Sequence, residues 1–170
     1  MKPLPAISLR ALEPEDLDLL YRIENDDALW GVGITNVPYS RFLLHEFISS
    51  STGDIYTDKQ VRLVIENESH QTVGLADLMS FDPKNMKAEL GLVILRACRH
   101  QGYAAATILK IHDYARRTLH LHQIYVVIAV SNDNTLRLFQ QMGYQQSAHL
   151  ADWLFDGEHY HDAIVMQHVL

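Results

Sequence analysis

Apolar and polar residues repeat with two different periods along this chain, and each change of period marks an element. Ile7 to Leu12 predicts a first strand, after which Leu17, Leu20, Tyr21 and Glu24 recur at helical spacing. Pro14 suits the first turn of that helix, and the carboxylates at 13, 15 and 16 complement its positive end. A second helix is predicted from Tyr39 to Ser49, where Phe42, Leu43, Glu46 and Phe47 make a partly apolar face. Val61, Leu63 and Ile65 then share one face of a β-branched run. The polar turn Asn67 to Gln71 leads into its hairpin partner, Val73 to Phe81. Asp82-Pro83-Lys84-Asn85 is turn chemistry, and Met86 to Leu95 predicts a fourth strand, central in the sheet.

From Gly102 the period becomes helical, with Ala104, Ile108, Ile111 and Ala115 on an apolar face and Thr107, Lys110, Asp113 and Arg117 on a polar one. Ile124 to Val130 reads as a buried strand. Ser131-Asn132-Asp133 opens a short helix carrying Leu136, Phe139 and Met142, which Gly143 stops. Two last strands, Ala151 to Leu154 and Tyr160 to Met166, flank a hairpin turn at Phe155-Asp156-Gly157-Glu158. This order predicts an α/β fold, a mixed sheet of about seven strands with helices on both faces and a parallel crossover between the fourth and fifth strands. No linker or repeat divides it, so residues 1–170 are expected to form a single domain.

Composition narrows the classes. No 18-residue apolar run exists, and the first ten residues lack the apolar stretch of a secretory signal, so a soluble cytoplasmic protein with no membrane partner is expected. The single cysteine, Cys98, excludes an internal disulfide and suits a semi-buried turn position. Of the ten histidines, His120-x-His122 and His159-x-His161 would each direct two imidazoles to one face if extended. Neither has a third ligand nearby, so no metal is expected. The net charge of −7 argues against nucleic-acid binding and favours a cationic partner. Glu13, Glu15, Asp16, Asp18, Glu24, Asp26 and Asp27 are opposed locally only by Arg22, and read either as a solvated helix face or as a wall that attracts an amine. Trp153 and Tyr160 could line an acceptor site, pack in the core, or touch a second copy, which leaves a homo-oligomer open.

The chemistry concentrates between the fourth strand and its helix, at Arg99-His100-Gln101-Gly102-Tyr103-Ala104. A helix N-terminus there exposes unpaired N–H groups, Gly102 permits close approach, Ala104 keeps the first turn narrow, and Arg96 and Arg99 add fixed charge. No carboxylate occurs from Leu90 through His112. In an acidic chain this is a setting for a polyanion, although one glycine at such a junction also serves as a plain turn.

Arg99-x-x-Gly102-x-Ala104 after the strand Glu89 to Leu95 resembles the acetyl-CoA pyrophosphate motif of GNAT N-acetyltransferases. Asn132 through Gly143-Tyr144 is similar to that superfamily's other recognisable stretch, an Asn opening a helix that ends in Gly-Phe or Gly-Tyr. The nearest branch holds the ribosomal-protein N-terminal and spermidine acetyltransferases. The resemblance implies acetyl transfer from acetyl-CoA to a primary amine, with Val93, Ile94 and Leu95 pairing with pantetheine. It also implies pyrophosphate on Arg99 and the backbone of His100, Gln101, Gly102, Tyr103 and Ala104, Asn132 near the thiol end, and Glu89 as the base through a water. Phe139 departs from the pattern, because many relatives place there a tyrosine that protonates the leaving thiolate. Tyr103, Tyr125 or Tyr144 could substitute, and the departure keeps open a domain that binds acyl-CoA without turnover. Thr35-Asn36-Val37-Pro38-Tyr39 also departs, since spermidine acetyltransferases carry acidic residues before the Pro-Tyr pair. A protein N-terminus or small-molecule amine is therefore expected ahead of a polyamine.

Overall fold

The computed structural model describes residues 3–26 and 37–170. Seven strands, β1 (Ile7–Ala11), β2 (Val61–Asn67), β3 (Thr72–Asp82), β4 (Lys87–Ile94), β5 (Gln123–Ala129), β6 (Gln145–Phe155) and β7 (Tyr160–Val169), form one sheet in the order β1-β2-β3-β4-β5-β7-β6. Every neighbouring pair is antiparallel except β4 and β5, which are joined through α4 (Tyr103–Arg117) and lie parallel. The other helices are α1 (Leu17–Glu24), α2 (Arg41–Ser50), α3 (Ile55–Asp58) and α5 (Asp133–Gln141).

Strand alternation sorts side chains into two cores. Leu63 and Ile65 of β2, Ala76 and Leu78 of β3, Ala88 and Leu90 of β4, and Ile124, Val126 and Ile128 of β5 pack with Ile108, Ile111 and Ala115 of α4 and Phe139 of α5. On the opposite face Val64 and Leu75 pack under Leu20 and Ile23 of α1 and Leu44 of α2, with Val93 at the border. Helices on both faces follow directly. Ile108 and Ile111 are fully buried, so truncating either to alanine removes about 2–5 kcal/mol.

The polar-face reading of Thr107 is corrected: the residue is fully buried. Its hydroxyl donates to the Tyr103 carbonyl at 2.8 Å, one turn back, which satisfies the hydroxyl without water and lets the methyl face the core. Among the elements, α3 has no counterpart in the periodicity, and β6 begins at Gln145, well before Ala151. As an edge strand with exposed side chains along most of its length, and with two register shifts against β7, β6 carries no clean apolar alternation. Among the described residues no helix is long and apolar enough to cross a membrane.

Candidate active site

The site begins where β4 and β5 part. They share three ladder pairs, Lys87 with Gln123, Ala88 with Ile124 and Glu89 with Tyr125. Beyond Glu89, β4 pairs only with β3, as far as Gly74 with Ile94, while β5 continues against β7. Among the described residues, one edge of β4 from Leu90 to Ile94 therefore lacks a ladder partner, in the middle of the sheet. That edge is a template for an extended ligand.

Glu89 sits on the α1 side of the sheet, opposite the buried Ala88 and Leu90, as strand alternation predicts. Half-buried, its carboxyl is pushed above the usual range by desolvation, an effect opposed by a hydrogen bond from Tyr125. Burial and the neighbouring Glu89 charge in turn raise the Tyr125 phenol, against a hydrogen bond from Ser80. A β-bulge between Met79 and Asp82, with Ser80 at φ +53°, brings that hydroxyl to the fork.

At the far end of β4, a 3₁₀ turn over Arg96–Cys98 leads to the left-handed His100 (φ +61°) and Gly102 (φ +89°), and then into α4. Gly102 is the N-cap of α4. No side chain caps this helix and no acid lies in its first turn, an unusual state for a helix of 15 residues. The first intrahelical bond is made by Ala106 N–H, which leaves the N–H groups before it directed outward. These donors, with the exposed Arg99 beside them, fit a diphosphate. Arg99 Nε donates to the Ile94 carbonyl at 3.1 Å, tying the guanidinium to the end of the open strand edge. Gln101 is held by its amide on the Ala97 carbonyl at 3.0 Å.

A cleft of about 210 Å³ joins these parts, floored by Val93, Ile94 and Leu95, flanked by Arg96 and Arg99, and roofed by Leu19, Arg22, Ile23 and Asp26. Of the roof residues, Arg22 and Asp26 belong to the charged run named from the sequence, while Leu19 and Ile23 were not singled out, since only the packing of α1 over β4 brings them there.

The acidic run around α1 has partners that local sequence could not reveal. Asp16 is buried and receives Arg10 at 2.6 and 2.9 Å, while Arg10 also holds Glu66 at 2.6 Å. Asp18 pairs with Arg41, and Glu24 with Arg62 at 2.5 Å. Arg62 grips Asp77 with two bonds, of 2.6 and 3.0 Å, and lies over the Phe47 ring. Three of the seven members of the predicted wall, Asp16, Asp18 and Glu24, are thus tied into the fold, and Asp26 lines the cleft. Asp27 lies outside the described residues, as do Thr35 and Asn36.

Comparison with known proteins follows the same outline. Residues 7–145 match the model of the acetyltransferase (GNAT) domain. The chain belongs to the GNAT acetyltransferase family. It is 27% identical over 156 residues to the spermidine N(1)-acetyltransferase of Vibrio cholerae serotype O1, covering 92% of this chain and 88% of the relative. A crystal structure of the Vibrio cholerae spermidine N-acetyltransferase with CoA and spermine matches with TM-score 0.85 and 27% identity, over 96% of this chain and 95% of that one. A dodecameric structure of the enzyme from the same organism in an intermediate state matches with TM-score 0.82 and 27% identity, over 96% and 93%. The protein is an acetyl-CoA-dependent N-acetyltransferase that acts on a primary amine, and the GNAT fold expected from the sequence is the one observed.

Within this GNAT frame the remaining expected site residues separate. Asn132 caps α5, its side-chain oxygen accepting from Thr135 N–H at 3.3 Å, so its first task is local. Phe139 is 3% exposed and stands edge-on to Tyr144 at 4.8 Å between centroids. It contributes packing, with no polar atom to offer a cofactor. Of the three tyrosines that could replace its missing hydroxyl, Tyr144 is buried and bonded to His112 Nε2 at 3.0 Å, its phenol pushed far up by burial. Tyr103 packs against the main core. Tyr125 alone of the three pairs with Glu89 at the fork.

His161 is bonded to Asp156 at 2.5 Å, and His149 to Asp162 at 2.8 Å. No group of three or more metal-ligating side chains occurs among the described residues. Trp153 and Tyr160 are more than half exposed on the β6–β7 hairpin, which removes the core-packing reading.

Proposed function

We propose that the acceptor is a small amine with more than one positive charge, of the polyamine class, and that Glu89 removes the proton from its attacking nitrogen. The observation that carries this reading is the charge on the α1 side of the sheet. Asp77 of β3 and Glu89 of β4 share that face by register, and Glu24 of α1 reaches it through Arg62, which also holds Asp77. The spermine complex of the Vibrio cholerae relative supports the same class.

The open edge at Val93, Ile94 and Leu95 would pair with the pantetheine arm, and Arg99 with the N–H groups of Gly102, Tyr103 and Ala104 would hold the pyrophosphate, flanked by His100 and Gln101. Bound acetyl-CoA supplies a thioester: the amine nitrogen bonds to its carbonyl carbon, the C–S bond breaks, and the electron pair leaves on sulfur as thiolate. Glu89, through a water, accepts the proton that the nitrogen gives up. Its raised pKa suits that task, since a carboxyl nearer neutrality is a stronger base. Phe139 has no proton to give, Tyr144 is committed to His112, Tyr103 packs against the core and Tyr125 stands beside Glu89, so in this route the thiolate takes its proton from solvent. This route uses no metal. The single thiol Cys98 suits a cytoplasmic location, and the dodecameric relative supports a homo-oligomer of this single-domain chain, 1–170.

The test is release of CoA thiol from acetyl-CoA with spermidine, spermine, N-terminal peptides, aminoglycosides and amino acids. The expected result is a kcat/KM for a polyamine roughly tenfold or more above every other acceptor, the discrimination that one or two well-placed charge contacts give. A peptide preferred over the polyamines overturns the acceptor assignment in favour of a protein N-terminus.

A further inference from the structure

Met79, Glu89, Tyr125 and Gln167 form one row across β3, β4, β5 and β7, so the Glu89 and Tyr125 side chains leave the sheet on the same face. Ser80 joins them from the bulge beside Met79. Register sets the Tyr125 side chain directly beside Glu89, and the Ser80 and Glu89 side chains both act on the Tyr125 phenol. Glu89 and Tyr125 form the final rung before the strands separate.

We infer that Tyr125 is a positioning residue for the base: held by Ser80, its hydroxyl binds one Glu89 oxygen and leaves the other for the water that carries the amine proton. The inference rests on Glu89 being that base. It assigns a task to a tyrosine on β5 while the helix position used by many relatives holds Phe139. The phenol keeps its own proton throughout, because both burial and the Glu89 charge favour the neutral form.

Other charges on this face are accounted for among the described residues. Lys87, on the same strand, lies 3.9 Å from Asp82. Asp77 on β3 and Glu24 on α1 are held by Arg62. Arg22 and Asp26 lie over Val93 in the cleft. β5 and β7 present Gln123, Tyr125 and Gln167 in the adjoining positions, none of them charged at neutral pH. Burial and the Tyr125 hydroxyl set the Glu89 shift.

The deciding experiment is the pH profile of kcat/KM for wild type, Y125F, S80A, E89Q and the Y125F/E89Q double variant, with the preferred acceptor. The Glu89 limb is the one that E89Q lacks. Y125F removes a donor to the ionised carboxylate, so that limb moves to higher pH. On the limb kcat/KM falls about fivefold, while the high-pH plateau changes by less than about twofold, as expected for one hydrogen bond to a charged group. S80A moves it in the same direction by less, and adding Y125F to E89Q changes nothing further. If E89Q keeps the wild-type limb, the assignment of Glu89 as base fails. If E89Q loses it but Y125F leaves it in place, or if Y125F slows the E89Q enzyme as much as the wild type, the role of Tyr125 alone fails.

Discussion

The Glu89 carboxyl and the Tyr125 phenol meet on the last rung that β4 and β5 share, so the proposed base stands at the vertex of the cofactor gap. Glu89→Gln preserves shape there and removes the proton acceptor. Its expected effect is a kcat loss of about 10²–10⁴-fold, the usual contribution of a general base, with acetyl-CoA affinity unchanged by titration calorimetry. Because burial raises the carboxyl, wild-type activity falls as pH drops through that raised value, and this limb vanishes in the variant.

Gly102→Val places a β-branched residue at φ +89°, with its Cβ 3.0 Å from Pro5 Cδ and 3.4 Å from Leu4 Cδ2. Strain in the left-handed region should cost about 1–3 kcal/mol of stability, read by thermal melting. Displacement of the phosphate-facing N–H groups should weaken acetyl-CoA by tenfold or more. Arg99→Glu, at an exposed position, should weaken binding comparably while leaving the melting temperature nearly unchanged.

Arg62→Met leaves Asp77 and Glu24 without their counter-ion beneath α1. Breaking a partly buried pair from one side should destabilise by about 2–4 kcal/mol, somewhat below a fully buried case. Asp77→Asn in the same chain should recover part of the loss in chemical denaturation, since one of the two orphaned charges is then gone.

His112 provides a pH test of stability. Burial, then the charges of His168 and Arg116, hold its pKa down to about 4 from an ordinary value near 6.5. The unfolded chain therefore binds a proton that the fold refuses. The contribution is complete above about pH 6.5 and is lost as pH falls toward 4, by about 1–2 kcal/mol once screening of the partly exposed ring is allowed for. His112→Phe should flatten that part of the stability profile measured by urea denaturation.

The strands were legible where one face was more buried than the other, as in β5 and the first half of β4. Gly102 and Arg99 were legible because backbone freedom and fixed charge are written in single residues. The salt bridges of Asp16, Glu24 and Asp77 were not, since their arginines at 10 and 62 come from other elements and meet them only after the sheet closes. Thr107 was misplaced because a hydroxyl counts as polar in a periodicity, although its own helix can satisfy it. Tyr125 stood as one of three candidates until the register with Glu89 separated it from Tyr103 and Tyr144.

The short seam between β4 and β5 also makes the sheet resemble an open book, with β1 to β4 as one leaf and β5 to β7 as the other. Three rungs are a weak spine. A ligand laid along the bare edge of β4 thickens it, adding backbone bonds where the leaves diverge, and by mass action it stabilises the chain as RT ln(1 + [L]/Kd). An acyl donor seated on that edge would therefore raise the chain's stability as it fills the seam.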